Sequence, residues 1–521
     1  MNTTRNKRAP APVYISPNQL TLDCFKTPFD HHLNKDNRWV VLAHLIPWDE
    51  ICNLYLKHVG ISNTGRPPLS PRLVIGSLII KHICNLDDRE TVDQISENMY
   101  MQYFLGYSTF TPEAPFDASL FVEFRKRLGM DCLNEINERI VALKTKMEPA
   151  KSGSATGKGE GHDENGIGHT DDSETANKGR VIFDATACPQ DIAYPTDLDL
   201  LSSARKKSEQ LIDILYNPAM HEKKPRTYRL VASRRYLKTA QKRNKSRNEL
   251  RKAIGSQLRF LRRNINSADR LIKSYPENPL KEKDRKYLET IRAVYQQQKQ
   301  MYDTKSHSVE DRIVSIHQPH VRPIVRGKTT AKVEFGAKIH VSVIDGISFL
   351  DEISWDAFHE GTHMMEYVQK YKQRFGFYPR ELLADKIYCT RVNRGDLKRL
   401  GIKLLAKPLG RPSAVQVHVR PGERNPIEGK FGQAKTAYGL DRIKARLKGT
   451  SESWIASIFL VLNLVKLAGA ALPCHIIRLV ESFSANACQV FLNQLAYPEV
   501  RHCSFNIKIS EANRVNIKIA A

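Results

Sequence analysis

The segment Arg180-Val-Ile-Phe-Asp-Ala-Thr186 decides how we interpret the fold of this chain. Three consecutive apolar residues followed by an aspartate predict a short buried strand that ends in a carboxylate, Asp184. The segment Glu381-Leu-Leu-Ala-Asp385 repeats this pattern and predicts a second strand that ends in Asp385. Because neighbouring strands lie about 4.8 Å apart, two such aspartates can approach one point if both strands belong to the same sheet.

A third acid, Glu428, follows Pro426, which favours the start of a helix with Glu428 in its first turn. Carboxylates held close together repel one another unless a cation neutralises them. Their hard oxygens are the ligands that Mg²⁺ prefers. Two divalent ions about 4 Å apart can activate an attacking oxygen and stabilise a leaving one. The pattern therefore predicts a catalytic site in which Asp184, Asp385 and Glu428 hold two Mg²⁺ or Mn²⁺ ions.

The order of the other patterns predicts a mixed α+β and α/β fold. Outward from the first aspartate come a long insert, a strand pair over 336–345 and 348–355, a helix over 362–375, a strand over 402–406 and a helical block over 425–472. This order predicts a ribonuclease-H-like mixed five-stranded sheet with helices, an N-terminal helical domain and a long basic helical-hairpin insertion. The apolar run 454–472 contains Asn463 and Lys466, so we interpret it as a core helix rather than a membrane span.

Shifts in composition divide the chain into six expected regions. The segment 151–179 is rich in Gly, Ser, Asp, Glu and Thr, as in flexible linkers. We expect an N-terminal arm (1–37), a helical DNA-binding domain (38–148), a linker (149–179), a catalytic domain (180–201 and 320–472), a helical insertion (202–319) and a C-terminal tail (473–521).

The charge balance indicates a polyanionic partner. Lysine and arginine number 81 against 56 acids, for a net charge of +25, which favours DNA or RNA. A surface kept basic for solubility or for an anionic membrane is the alternative. Nine scattered cysteines without a C-x-x-C pair, and an N-terminus without a signal peptide, lead us to expect a soluble protein of the cytoplasm.

Two groups of basic residues are candidates for phosphate contacts, with a solvated face and a plain scaffold as the respective alternatives. The first group lies on the N-terminal helices: Arg66, Arg72, Lys81, Arg89, Arg125, Lys126 and Arg127. The second lies on the helical insertion: Arg234, Arg235, Lys242, Arg243, Lys245, Arg262 and Arg263.

One motif points to a different chemistry. His359-Glu-Gly-Thr-His363 matches H-E-x-x-H, the pattern of zinc proteases. That site needs both histidines on one helical face, but Gly361 and Thr362 are poor helix formers, and Thr362 is a natural N-cap for the helix that follows. We therefore expect His359 to lie outside the helix and disfavour a protease.

The segment Arg424 to Lys435 resembles the R-x3-E-x6-K signature of bacterial insertion-sequence DDE transposases. The segments 182–186 and 383–388 resemble the first and second acid motifs of that family. The segment 65–104 is similar to its N-terminal helical domain, and Arg326-Gly-Lys328 followed by 334–338 also matches its pattern. The fuller signature has a tyrosine where this chain has Pro421.

This resemblance implies a metal-dependent enzyme that hydrolyses DNA at transposon ends, joins the freed 3′-hydroxyl to target DNA and binds terminal inverted repeats as a homodimer. Asp184, Asp385 and Glu428 would be its catalytic residues. The DNA-contacting residues would be Arg424, Lys435, Arg326, Lys328, Arg66 and Arg72. Two alternatives remain open: a catalytically inactive DNA-binding derivative, and a stand-alone nuclease of the same fold.

Overall fold

The computed structural model describes residues 29, 33–59, 69–147, 177–325, 333–406 and 422–469, with backbone alone over 143–147. Most of the expected N-terminal arm, nearly all of the linker and almost the whole of the last compact unit, Leu467–Ala521, lie outside these ranges. Everything below concerns the first unit, which ends at Lys466.

Six helices form the N-terminal block: α1 Arg38–Leu45, α2 Trp48–Val59, α3 Pro71–Cys84, α4 Asp88–Glu97, α5 Met99–Phe104 and α6 Leu120–Met147. A reciprocal pair of hydrogen bonds between Asp87 and Glu90 starts α4, which satisfies backbone donors that would otherwise lack partners. Gly129, at φ 57°, kinks α6. The block has a core of its own, in which the ring of Phe104 lies 5.4 Å from Trp39 and 5.3 Å from Trp48.

The insertion contains four helices: α7 Asp197–Leu215, α8 Arg229–Ala240, α9 Arg247–Lys273 and α10 Glu282–Thr304. The expected hairpin corresponds to α9 and α10, but the expectation was incomplete because α7 packs against both and α8 packs against α7 and α9. The physical reason is the width of the apolar stripe on α9, which one neighbouring helix cannot cover. The shared core includes Leu201, Leu211, Leu261, Ile291 and Val294.

A mixed sheet forms the centre of the fold. It contains β1 Arg180–Pro189, β2 Arg322–Val325, β3 Val333–Ile344, β4 Ile347–Ser354, β5 Glu381–Leu383 and β6 Lys403–Leu405. Six strands are present where we expected five, because the short β2 pairs with the first residues of β3. Both β2 and β4 lie antiparallel to β3 on the edge that β1 leaves free. On the other side, β1, β5 and β6 run parallel.

The first strand is longer than the sequence pattern indicated. β3 pairs with β1 from Ile182 to Pro189, so Asp184 lies in the middle of β1 and not at its end. The prediction of a short strand was wrong because an antiparallel partner extends the ladder beyond the apolar triplet. The parallel partner β5 stops at the residue paired with Ile182, and Asp184 therefore lies just beyond the end of that pairing.

Helices cover both faces of the sheet. α11, Met364–Phe375, lies on the face of Phe183, whose ring centroid is 6.0 Å from that of Tyr367. α12, Arg391–Arg399, follows β5, and α13, Asn425–Tyr438, packs against β1 and β3. Side chains of neighbouring strand residues point to opposite faces, so the face of Asp184 is the one that α13 covers.

The last described helix, α14, spans Lys448–Gly469 and is long and apolar enough to cross a membrane, yet 72% of its apolar window is buried inside the protein. Its Asn463 accepts from the backbone nitrogen of Ser348 at 2.8 Å and donates to Asn137 of α6 at 2.8 Å. This helix thus joins the N-terminal block to the β3–β4 hairpin, as the core helix of a mixed α/β fold.

Candidate active site

Two aspartates reach the same place from neighbouring parallel strands. The pairing of β1 with β5 aligns Ile182 with Leu383, and each aspartate follows its strand residue by two positions. Asp184 continues along β1. Asp385 leaves the strand and caps the 3₁₀ turn Lys386–Tyr388 by accepting from the Lys386 amide at 2.7 Å. Because Ile182 and Leu383 are aligned and each aspartate lies two residues further on, both aspartates lie at the same end of the parallel strand pair.

Arg424 joins the two aspartates. Its Nη2 donates to Asp184 Oδ2 at 2.9 Å, and its Nη1 lies 3.4 Å from Asp385 Oδ1. A planar guanidinium fork suits such a double contact. The residue immediately precedes α13, so the start of this helix is held against the carboxylates, and a single cation occupies the space between them.

Glu428 lies in the first turn of α13, as the sequence predicted. It follows Arg424 by four residues, and on a helix such a pair shares one face with about 5–6 Å between the Cβ atoms. Glu428 is exposed and has no ion pair or side-chain hydrogen bond within the described ranges. In the part of the chain that the structure describes, no three acidic, histidine or cysteine side chains lie close enough to hold a metal ion.

Asp184 is harder to ionise than an ordinary aspartate. Burial raises the pKa of this carboxyl above its ordinary value, Arg424 opposes the rise, and the charges of Glu360 and Asp385 add to it. A carboxylate made harder to ionise by burial and by like charges is typical of functional sites. A further cation beside Asp184 would relieve this cost.

Glu360, from the motif that we set aside in the sequence, lies near this site. Its Oε1 is 2.9 Å from the Nζ of Lys338 on β3. A Cβ atom on Gly361 would meet the carbonyl oxygen of Ile387 at 2.6 Å, so this loop packs directly on the turn that follows Asp385. The Nδ2 of Asn393 donates to the carbonyls of both Gly361 (2.7 Å) and Tyr388 (3.0 Å), which ties loop and turn together.

The same contacts explain why the motif does not form a zinc-protease site. His359 lies in a turn, and α11 begins only at Met364, with His363 as its N-cap instead of the expected Thr362. His363 Nδ1 lies 3.0 Å from Glu352 Oε2, and Glu360 pairs with Lys338. The two histidines therefore do not share a helical face. Nothing local in the sequence marks Glu360 as a neighbour of Asp184, because the contact depends on a loop that packs across the sheet.

A buried network of polar side chains lies on the face of the sheet opposite to Asp184. His340 of β3 stacks on Tyr367 with centroids 3.5 Å apart, and its Nδ1 lies 3.1 Å from Asp351 Oδ2. Arg374 Nη1 donates to Asp351 Oδ1 at 2.6 Å. Burial disfavours ionisation of Asp351, but Arg374 and His340 outweigh it and lower its pKa. Because His340 pairs with Ala185, this network fixes β3 directly beside Asp184.

The predicted DNA-contacting residues have different outcomes. Arg66, Arg326 and Lys328 lie outside the described residues. Lys435 lies in the last turn of α13. Arg72 must be removed from the set: it is 7% exposed, its Nε donates to the Phe104 carbonyl at 2.9 Å, and its guanidinium lies over the Trp48 ring. A charge directed into the N-terminal block cannot reach a phosphate backbone.

Lys81 and Arg125 correct the same expectation. Both are buried around Asp88, at 2.9 Å and 2.7 Å, and both lie over the ring of Trp454 from α14. A single acid and an aromatic face offset much of the cost of burying two cations. Of this group, Arg89, Lys126 and Arg127 are exposed.

Comparisons with known proteins agree with this arrangement. Residues 27–127 match the family described as Transposase domain (DUF772), and residues 382–465, which include Asp385 and Glu428, match the family described as Transposase DDE domain. An uncharacterized protein encoded by ORF8 in the nfe locus of Rhizobium meliloti is 34% identical over 185 residues, which span 35% of this chain and 76% of that relative. No solved structure matches the chain. From the matched domains, the relative and the converging acids, we conclude that this chain belongs to the insertion-sequence DDE transposases.

Proposed function

We propose that this transposase hydrolyses phosphodiester bonds at the ends of its mobile element and transfers the freed 3′-hydroxyl to target DNA, using a ribonuclease-H-like catalytic core. The strand order β4-β3-β1-β5-β6, with β3 antiparallel to β1 and β5 parallel to it, supports that fold. One observation carries the proposal: Asp184 and Asp385, from adjacent parallel strands, meet at the guanidinium of Arg424, the residue that precedes the helix carrying Glu428 in its first turn.

The chemistry of the proposed donors, three carboxylates, fits the divalent cations on which this family typically depends. Hard carboxylate oxygens converge on a position already filled by a cationic group, and burial, which raises the pKa of Asp184, makes a further cation favourable beside this carboxylate. Asp184, Asp385 and Glu428 would hold two Mg²⁺ or Mn²⁺ ions. When bound, such ions activate the attacking oxygen and stabilise the leaving one.

The other side chains of the site then have defined tasks. Arg424 holds the two strands and α13 together in the free protein. Once its aspartates are neutralised by other cations, its fork can donate to two oxygens of one phosphate. Lys435 lies seven residues, or about two turns, beyond Glu428, and we propose that it contacts the same DNA strand. Arg66, Arg326 and Lys328 remain proposed DNA contacts.

We further propose that the substrates are the terminal inverted repeats and a target duplex, and that the enzyme works in the bacterial cytoplasm on nucleoid DNA. Because a transposition event joins two ends to one target, two active sites have to be brought together. A homodimer assembled on DNA is the simplest arrangement that does so.

The test is a cleavage and joining assay on a duplex that carries the ends of the encoding element, with Mg²⁺ present. We expect wild-type protein to leave 3′-hydroxyl ends and to join them to a second duplex. Asp184→Asn should cleave at least about 10³-fold more slowly, because the variant lacks one ligand of metal ions whose stabilisation of the transition state is worth several kcal/mol. The variant should still bind DNA. Asp191→Asn, an exposed aspartate shortly after β1 that pairs with Arg442, is the matched control.

The same assay separates the alternatives. Cleavage without joining would identify a stand-alone nuclease of this fold. Retained DNA binding with neither cleavage nor joining in the wild-type protein would identify an inactive DNA-binding derivative. Equal cleavage by wild-type protein and Asp184→Asn would overturn the assignment of the site.

A further inference from the structure

The positive charge of the chain is concentrated on α8 and the first two thirds of α9. Between Arg229 and Arg263 the sequence has thirteen lysines and arginines and one acid, Glu249. We call this segment, Arg229–Arg263, the basic pair. No other feature of the insertion requires such an excess, because the core of the insertion is built from leucine, isoleucine, valine and alanine side chains.

Most of this charge is exposed and unneutralised. Ala232 is the one residue of α8 that is buried, and every residue from 241 to 250 is exposed. Lys242 pairs with Glu249, and Arg229 pairs with Asp213. The other eleven cations of the basic pair have no ion pair among the described residues.

Aromatic rings contact some of these cations. The guanidinium of Arg235 lies 5.7 Å from the centroid of Phe260, and that of Arg263 lies 6.0 Å from the same ring. Arg263 also lies 4.5 Å from the ring of Tyr228. Both guanidinium groups of Arg235 and Arg263 therefore lie within 6.0 Å of one ring and carry N–H donors of the kind that phosphate oxygens accept from.

The dimensions of the basic pair match an extended polyanion. The part of α9 that belongs to the basic pair, Arg247–Arg263, has 17 residues and is therefore about 26 Å long, most of one turn of a DNA duplex at about 34–36 Å. The pair packs on α7, which begins eight residues after β1 ends, so it is connected to the strand that carries Asp184. A small anion would use only a few of the eleven cations.

From exposure, charge and length we infer that the basic pair is a docking surface for the phosphate backbone of double-stranded DNA, distinct from the carboxylate site. The choice of duplex DNA over another polyanion rests on the proposed function. The binding itself does not, because none of the carboxylates takes part in it. Neutralised phosphates release counterions, so affinity for this surface depends steeply on salt.

The test compares two full-length variants with equal reductions in charge. One carries Arg234→Gln, Lys238→Gln and Arg262→Gln, three exposed cations of the basic pair. The control carries Lys281→Gln, Lys283→Gln and Arg285→Gln, three exposed cations beside or within α10. Binding of a labelled duplex unrelated to the element is followed by fluorescence anisotropy, in EDTA, over a series of salt concentrations. Circular dichroism checks that both variants are folded.

We expect the slope of log K against log salt to shrink by about 0.9 for each phosphate that the protein no longer neutralises, so by nearly three for the first variant and by little for the control. Arg234→Lys with Arg262→Lys, which keeps the charge, should retain the wild-type slope. Equal slopes for the two Gln variants would overturn the inference, as would tighter binding of wild-type protein to single-stranded RNA or anionic vesicles than to the duplex.

Failure of this inference can be distinguished from failure of the proposed function. Cleavage by wild-type protein together with equal slopes for the two Gln variants rejects the docking surface alone. Salt-dependent binding through the basic pair, unchanged in Asp184→Asn but without any cleavage by wild-type protein, rejects the proposed chemistry alone.

Discussion

The acid centre, by which we mean Asp184, Asp385 and Glu360 together with the proposed ligand Glu428, differs from the basic pair in almost every respect except one. The acid centre brings Asp184 and Asp385 together from segments about 200 residues apart, and the side chain of Asp184 is 17% exposed. The basic pair gathers many cations from one continuous segment and leaves them in solvent. In both regions like charges lie together with too few partners of opposite sign.

The difference between them indicates two kinds of ligand. The mostly buried carboxylates of Asp184 and Glu360 interact strongly at short range because the local dielectric is low, and they favour a compact cation. Exposed cations interact weakly one by one and are screened by salt, so they favour a long polyanion that contacts many of them. Each region carries a repulsion that its own ligand would relieve, the metal ion in one case and the DNA backbone in the other.

Glu428→Gln should distinguish the functions of the two regions most clearly. We expect cleavage to fall by about 10²-fold or more, because this variant removes a charged ligand for divalent ions, while salt-dependent DNA binding stays at the wild-type level. Glu366→Gln is a matched control, since Glu366 lies in the first turn of α11 as Glu428 does in α13. Single-turnover cleavage and anisotropy on the same preparations measure both quantities. A parallel weakening of DNA binding would break the comparison.

Arg424→Gln tests whether the arginine and divalent ions compete for the aspartates. In the wild-type protein, Mn²⁺ has to displace two partly exposed ion pairs of Arg424, which together are worth about 1 to 1.4 kcal/mol. Without this competition, Mn²⁺ should bind about five- to tenfold more tightly. Cleavage should nevertheless fall, because the variant lacks the guanidinium proposed to bind phosphate. Calorimetric titration with Mn²⁺ measures the affinity, with Arg442→Gln, an exposed arginine paired with Asp191, as control. Weaker Mn²⁺ binding would show that Arg424 supports the ion site instead.

Glu360→Gln tests the residue that the sequence did not identify. The charge of Glu360 contributes to the raised pKa of Asp184, so its removal should lower that pKa. Asp184 then stays ionised to a lower pH, and the acidic limb of the pH–rate profile should move to lower pH. Glu366→Gln should leave the limb in place. A shift to higher pH would show that Glu360 does not act on Asp184 through its charge.

The smallest expected effect is on stability. Because the pKa of Asp184 is raised in the folded protein, its stabilising contribution is present at low pH and is lost as pH rises through the raised pKa. Asp184→Asn should therefore raise Tm by about 1–2 °C at neutral pH, and this gain should disappear in acid.

Asp351→Asn should change Tm at neutral pH in the opposite direction to Asp184→Asn. The pKa of Asp351 is lowered, so the stability that its charge contributes is present at neutral pH and is lost as pH falls through the lowered pKa. This variant should melt below wild-type protein at neutral pH, and the difference should close in acid. Thermal melts across pH measure both variants. A change in Tm of the same sign for both variants at neutral pH would contradict the electrostatic description of these two aspartates.

The sequence predicts a region well when its contacts join residues that are close together in the chain, and poorly when they join distant residues. The basic pair could be seen directly, since its cations are contiguous. The prediction of the three acids rests on local patterns, either an apolar triplet before an aspartate or a proline that starts a helix. The length of β1 could not be predicted, because its last residues are held by β3, about 150 positions further along.

The wrong expectations share one cause. Arg72, Lys81 and Arg125 look like surface cations in the sequence, but aromatic rings and carbonyls from distant segments make room for them in the interior. Glu360 looked like part of a zinc motif, and only the packing of its loop on the turn after Asp385 brings it near Asp184. A side chain whose environment is supplied from far along the chain cannot be interpreted from its neighbours in sequence.

The central claim is that Asp184, Asp385 and Glu428 converge on shared divalent ions, and it can be tested without knowing the DNA ends. Fe²⁺ is substituted for Mg²⁺ in the full-length protein, ascorbate and peroxide are added, and the positions of radical cleavage of the polypeptide are mapped by mass spectrometry. We predict cuts close to residues 184, 385 and 428, suppressed by excess Mg²⁺ and by Asp184→Asn. Cuts confined to other parts of the chain, or cuts that Mg²⁺ does not suppress, would contradict it.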